Sequence, residues 1–265
     1  KEGHDYQYLS HKVQLQQLAQ AAGNVELFAT LAMEGATPNE RPQCALDVAT
    51  LYLDLGQAKR ALDWMPSQAN RHWRHQSTEL RIRIYTALGD HDKVQGLQLQ
   101  QFKYSPSAIS AKRWLENFPE EEQDLRRAEL LSLLNQGEYN WQTKARLYID
   151  WQNYATAAEI IECNASDVAQ SDYYTQSEIA KALINDHPRA ATLLLRGAVE
   201  QTLAEARTKN YTIAVNYIKK MITCDERIDD WTPFTTHHDW FQDILQTHAR
   251  KSSFIGKLKA AGIHG

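Results

Sequence analysis

The chain has 265 residues, 29 Lys+Arg against 33 Asp+Glu (formal net charge −4), 43% hydrophobic residues, 11 Gly and 7 Pro. This profile excludes a disordered polyelectrolyte and a dedicated polyanion binder. No apolar run approaches the ~20 residues of a membrane span, and none resembles a signal-peptide core.

The first residue is Lys1, as expected of a chain that begins inside a longer protein. Cys44, Cys163 and Cys224 form no CxxC or CxC pair, which excludes zinc-ribbon and thioredoxin-type readings. An odd, scattered set of thiols suits a reducing compartment, so the expected location is cytoplasmic.

In chain order, apolar residues recur at three- and four-residue spacing, the period of helices. Val13, Leu15, Leu18 and Ala22 precede Gly23; Leu46, Ala49, Leu51, Tyr52 and Leu55 precede Gly56; Leu80, Ile82, Ile84, Tyr85 and Leu88 precede Gly89. Glycine stops a helix because it enters the left-handed cap at little cost. These glycines fall 33 residues apart, as do Tyr52 and Tyr85, and that is the length of a two-helix repeat.

Over 104–136 the register breaks. Ser105 or Ser107 and Pro106 start a helix through Ala111, Trp114 and Leu115, and Pro119 opens another with Glu120, Glu121 and Glu122 in its first turn. The repeat then resumes: Trp141, Ala145, Tyr148, Gln152, Tyr154, Ala157 and Ile161 fill the tetratricopeptide slots. Tyr52, Gly56, Ala58 and Ala61 fill part of the same template, as do Tyr85, Gly89 and Val94. Pro188 begins a long helix through Ala191, Leu194, Leu195, Val199, Leu203 and Ala206, and Tyr211, Ala214 and Ile218 read as the second helix of a further unit.

The predicted fold is all-α, a tetratricopeptide-like α-solenoid of stacked antiparallel helix pairs forming one domain over 1–265. Its parts are repeat-like units at about 8–103, an irregular helical segment 104–136, repeat-like units 137–223 and C-terminal capping helices 236–260.

The densest polar-aromatic cluster is C-terminal: Asp229, Asp230, Trp231, His237, His238, Trp240, His248, Arg250, Lys251 and Phe254. Imidazoles and carboxylates are metal ligands, but the spacing is poor for one. His237 and His238 point ~100° apart on a helix, and His248 lies roughly 16 Å along the axis from His237. HExxH is absent, and no metal or cofactor is expected. His237, Trp240, Phe241, Ile244, Leu245 and His248 instead form one stripe suited to packing.

Arg71, His72, Trp73, Arg74 and His75 make a basic-aromatic knot, and no acidic residue follows Asp243, whereas Arg250, Lys251, Lys257 and Lys259 do. Aromatics between basic residues suit single-stranded nucleic acid. GxSxG, GxGxxG and phosphate-cradling loops are absent, and no catalytic residue is assigned. The leading expectation is a non-catalytic scaffold for a protein or peptide partner, with Arg81, Arg83 and Lys144 as groove contacts and no membrane role. The alternatives are a nucleic-acid-binding module and an enzyme or metal-dependent domain built on the C-terminal histidines.

A resemblance rests on particular residues. His187-Pro188, the run 190–196, Ala206-Arg207, Tyr211, Ala214, Tyr217 and the run 228–231 lead to the ending His237-x2-Trp240-x7-His248-x-Arg250-Lys251-x2-Phe254. A weaker likeness runs through Leu88-Gly89, 97–102, Ser107-Ala108 and 115–119. The pattern resembles an uncharacterised bacterial domain-of-unknown-function family of tetratricopeptide-like helical proteins, and its C-terminal part is similar to a region of some SWIM zinc-finger proteins. The resemblance implies a helical array and carries no activity or substrate. Those zinc-finger relatives bind metal through CxC and CxH elements that this chain lacks, so the zinc function does not carry over. Trp240 stands where a Tyr is more usual. The recurrent His, Trp, Arg-Lys and Phe positions imply either a site or a packing signature.

Overall fold

A computed structural model describes residues 2–66 and 73–264, with side chains from His11 onward apart from Tyr173. Among the described residues there are sixteen α-helices, one 3-10 turn (Thr208–Asn210) and no strand. None of these helices is long and apolar enough to cross a membrane. The chain forms two compact units, one of Lys1–Ser105 with Ser110–Asp124, the other of Pro106–Ile109 with Leu125–Gly265.

In the first unit α1 (Glu2–Ala21), α2 (Val25–Met33), α3 (Arg41–Asp54), α4 (Ala58–Asp63), α5 (Arg74–Leu88) and α6 (His91–Tyr104) each pack on the next, and α3 also touches α5. Leu46, Val48, Ala49, Ala61 and Ile84 are fully enclosed between them. The small residues Ala49 and Ala61 let α3 and α4 approach, and the larger side chains fill what remains. α7 (Ala108–Leu115) follows, burying Ala111, Trp114 and Leu115.

The 33-residue spacing is a recurring turn. Gly23, Gly56 and Gly89 stand at φ +67°, +73° and +71°. The next amide in each case reaches back over the helix end, Asn24 to the Ala19 carbonyl, Gln57 to Tyr52 and Asp90 to Tyr85. Those bonds satisfy carbonyls that the helix leaves open. Asn24 and Asp90 then cap the following helix by accepting from the Leu27 and Lys93 amides. The tyrosine rings recur too: Arg60 lies 5.8 Å from the Tyr52 ring centre and Lys93 lies 4.8 Å from that of Tyr85.

The second unit takes the C-terminal half of α8 (Glu120–Gln136), where Leu130 and Leu134 are buried, then α9 (Trp141–Asp150), α10 (Tyr154–Cys163), α11 (Ala165–Ala169) and α12 (Tyr173–Leu183). α9 packs on α10, and α12 touches both. The same turn returns at Gln152, φ +58°, with the Asn153 amide bonded to the Tyr148 carbonyl and Asn153 capping α10 through the Thr156 amide. Gln152 thus holds the left-handed turn position that glycine holds at 23, 56 and 89, although a side chain is strained there.

α13 (Pro188–Ala204) begins at its proline and is buried on nearly every side by α10, α11, α12 and α14 (Tyr211–Asp225). It stops before Ala206, which takes the left-handed conformation (φ +51°) and does not continue the helix. Gly197 marks the closest approach: a Cβ there would stand 2.6 Å from Gln176 Nε2 and 3.1 Å from Ala169 Cα. α15 (His237–Thr247) and α16 (Ser252–Ala260) complete the unit, both touching α14.

Candidate functional site

In the first unit the basic-aromatic residues are engaged locally. Arg71 and His72 lie outside the described residues. Trp73 precedes α5 and packs on the core, and the Arg74 guanidinium lies 5.2 Å from the Tyr104 ring centre. Arg81 donates from Nη2 to the Pro66 carbonyl (2.6 Å), and Arg83 forms an exposed ion pair with Asp54 (3.0 Å).

In the second unit Lys144 reaches the Asn135 carbonyl at 3.5 Å, and Asn135 also exchanges hydrogen bonds with the Tyr148 hydroxyl. His237 and His248 stand at opposite ends of α15, with Lys251 just before α16 and Arg250 exposed between the two helices. His237 is buried and His238 exposed. Among the described residues, no three His, Cys, Asp or Glu side chains group as a metal site requires.

Trp231, His237 and Trp240 do come together, around Arg196, a residue that sequence reasoning passed over except as part of the family resemblance. Arg196 projects from the middle of α13 and is 5% exposed. Its guanidinium carbon lies 4.4 Å from the Trp231 ring centre and 5.3 Å from that of Trp240. A desolvated guanidinium against indole faces is the favourable limit of the cation–π interaction. Nη1 donates to the Thr235 carbonyl at 2.8 Å, while Nε and Nη2 are buried without a partner.

Each indole is held in turn by a carboxylate. Trp231 Nε1 donates to Asp225 at 2.8 Å, and Trp240 Nε1 donates to Glu200. Burial pulls the Arg196 pKa down to about 10 against the opposing pull of Glu200 and Asp225, so it stays charged at neutral pH.

His237, 6% exposed, stacks on Trp240 and Phe241 with ring centres 5.7 and 6.2 Å away, and neither ring nitrogen has a hydrogen-bond partner. Burial holds its pKa below the usual imidazole range; Asp225 opposes this, while Arg196 and His238 reinforce it. The imidazole is therefore neutral. The signal for Arg196 was a lone charge inside the apolar run 190–199 of a long helix, and such a residue requires a tertiary partner.

A second feature of this unit is a cleft of about 430 Å³ lined by Pro106 and Ser107, by Asn140, Gln142, Thr143, Arg146, Leu147 and Asp150 of α9 and its cap, and by Asp172 and Thr175 at the start of α12. Positions 142, 143, 146, 147 and 150 form one face of α9, with buried Leu147 as the floor. Burial raises the Asp150 pKa, with Arg146 pulling the other way. Asp172 accepts from the Thr175 amide at 3.0 Å, and its carboxyl is held below the ordinary range by the bonds to Thr175.

No curated protein matches this sequence, and no solved structure does. Residues 5–257 match a family described as a family of unknown function, DUF6880. That match spans both units and includes Arg196 and the two tryptophans around it, and by it the chain belongs to the DUF6880 family.

Proposed function

We propose that this chain is a non-catalytic, tetratricopeptide-like helical scaffold that binds a protein or peptide partner in the cytoplasm. The contacts of α3 with α5 and of α9 with α12, first helices of successive pairs, support stacking of pairs within each unit. Stacked first helices form an extended surface that a single packed core lacks.

The observation that carries the reading is the α9/α12 cleft. An extended peptide offers one donor and one acceptor per residue. Asn140, Gln142, Thr143 and Thr175 supply neutral amides and hydroxyls able to meet both, while Arg146 and Asp150 supply charge for discrimination. The test compares proteins recovered from a native lysate by the wild type and by Gln142→Trp, a bulky side chain that fills the cleft. The expected result is a defined set lost by the variant at unchanged thermal stability. Recovery of the same set by both would remove the cleft from the function.

A further inference from the structure

We propose that residues 231–247 form an acid-released clasp, closed over Arg196 at neutral pH and opened when His237 takes up a proton. The inference stands apart from the cleft and from any partner bound there.

Besides the Arg189 guanidinium 5.9 Å from the Phe234 ring centre and the packing of α15 on α14, the polar contacts of the closed clasp gather at one place. Arg196 donates to the Thr235 carbonyl and lies against the Trp231 and Trp240 rings, Trp240 donates to Glu200, and Trp231 donates to Asp225. His237 sits against this junction, stacked on Trp240 and Phe241. The charged and titratable groups that act on it are Asp225 at the end of α14, Arg196 on α13 and His238 beside it on α15, while Glu200 on α13 acts on Arg196. Glu200 and Asp225 are already committed to the two indole N–H groups.

A proton on His237 creates a second cation next to Arg196, and both imidazolium N–H groups then lack an acceptor. Holding an unpaired charge in this junction costs several kcal/mol, and that cost weighs against the closed clasp. The proton is therefore accommodated by lifting the clasp, which returns His237 to water. Opening also bares the Arg196 guanidinium and two indole faces, a surface that exists only in acid.

The test is hydrogen exchange of the full chain at pH 7.5, 6.5 and 5.5, corrected for intrinsic exchange. The expected result is a loss of protection in 240–247 that is small from pH 7.5 to 6.5 and steepens below it towards tenfold per pH unit, the limit for one proton taken up on opening. Protection in α12 stays constant. His237→Phe keeps the ring stacking and abolishes the pH dependence, while His238→Gln and His248→Gln retain it. Protection in wild-type α15 that is indifferent to pH, or a dependence that survives His237→Phe, overturns the proposal. If His237→Phe does not fold, the imidazole titration followed by NMR in the wild type decides. A midpoint below the free-histidine range that coincides with loss of α15 protection supports the clasp, and a midpoint in or above that range overturns it.

Discussion

The guanidinium of Arg196 and the indole of Trp231 face each other at 4.4 Å, although 34 residues of chain lie between them. The contact joins the centre of α13 to the segment that follows α14, and the Trp240 ring centre lies 5.3 Å from the same guanidinium. Removing the guanidinium therefore removes a cation, a hydrogen bond and packing volume together. Arg196→Ala is expected to cost about 2–4 kcal/mol in urea unfolding, and Arg196→Lys about half of that, because an ammonium lacks the planar face. Equal losses for both variants would locate the stabilisation in the guanidinium plane and its hydrogen bond, which lysine also lacks, and not in the charge or the packing volume.

Gln152 and Ala206 hold the left-handed conformation that Gly23, Gly56 and Gly89 hold elsewhere. Both are exposed and sit in turns whose backbone bonds do not depend on a side chain. Gln152→Gly and Ala206→Gly should each stabilise by about 0.5–1 kcal/mol, whereas Gly56→Ala should destabilise by about 1 kcal/mol. Thermal melting of the three variants reads the sign directly.

At Gly197 the limit is space. The new methyl of Gly197→Ala would meet Gln176 Nε2, which donates to the Val168 carbonyl, and the Ala169 backbone behind it. The expected loss is about 1–3 kcal/mol by denaturant titration, with a cavity-free, strained interface as its cause. Gln176→Ala in the same background should recover part of it, a coupling that a double-mutant cycle measures.

Asp172 caps α12 through the Thr175 amide. Asp172→Ala should cost about 1 kcal/mol at pH 7 and Asp172→Asn much less, because an asparagine side chain keeps the accepting oxygen. The Asp172 pKa is lowered in the folded chain, so the unfolded chain binds the proton first as pH falls. The charge-dependent stabilisation is complete above pH ~4 and fades below it, and the gap between the wild type and Asp172→Asn measured by urea unfolding should narrow there.

Features fixed within six residues were legible from the sequence. The turn after Tyr52, Tyr85 and Tyr148 is written in one left-handed position and one backward bond, which is why the spacing found Gln152 despite its side chain. The stripe on α15 was legible for the same reason: His237, Trp240, Phe241 and Ile244 share a face by helical period alone and are buried together. The environment of Arg196 was not, since the identity of its partners depends on where 231–240 is carried by α14, and periodicity holds no information about that distance. The α9/α12 cleft likewise draws its lining from three separate stretches, of which only Asp172 and the α9 face carry a local signal.

The near-complete enclosure of α13 gives the second unit a keystone. Four helices lean on this one, whereas α16 leans on α14. Shearing off residues beyond 251 would fray one neighbour, but a break inside 190–203 would let α10, α11, α12 and α14 go in a single step. Unfolding should therefore be piecemeal at the C-terminal edge and all-or-none at this centre.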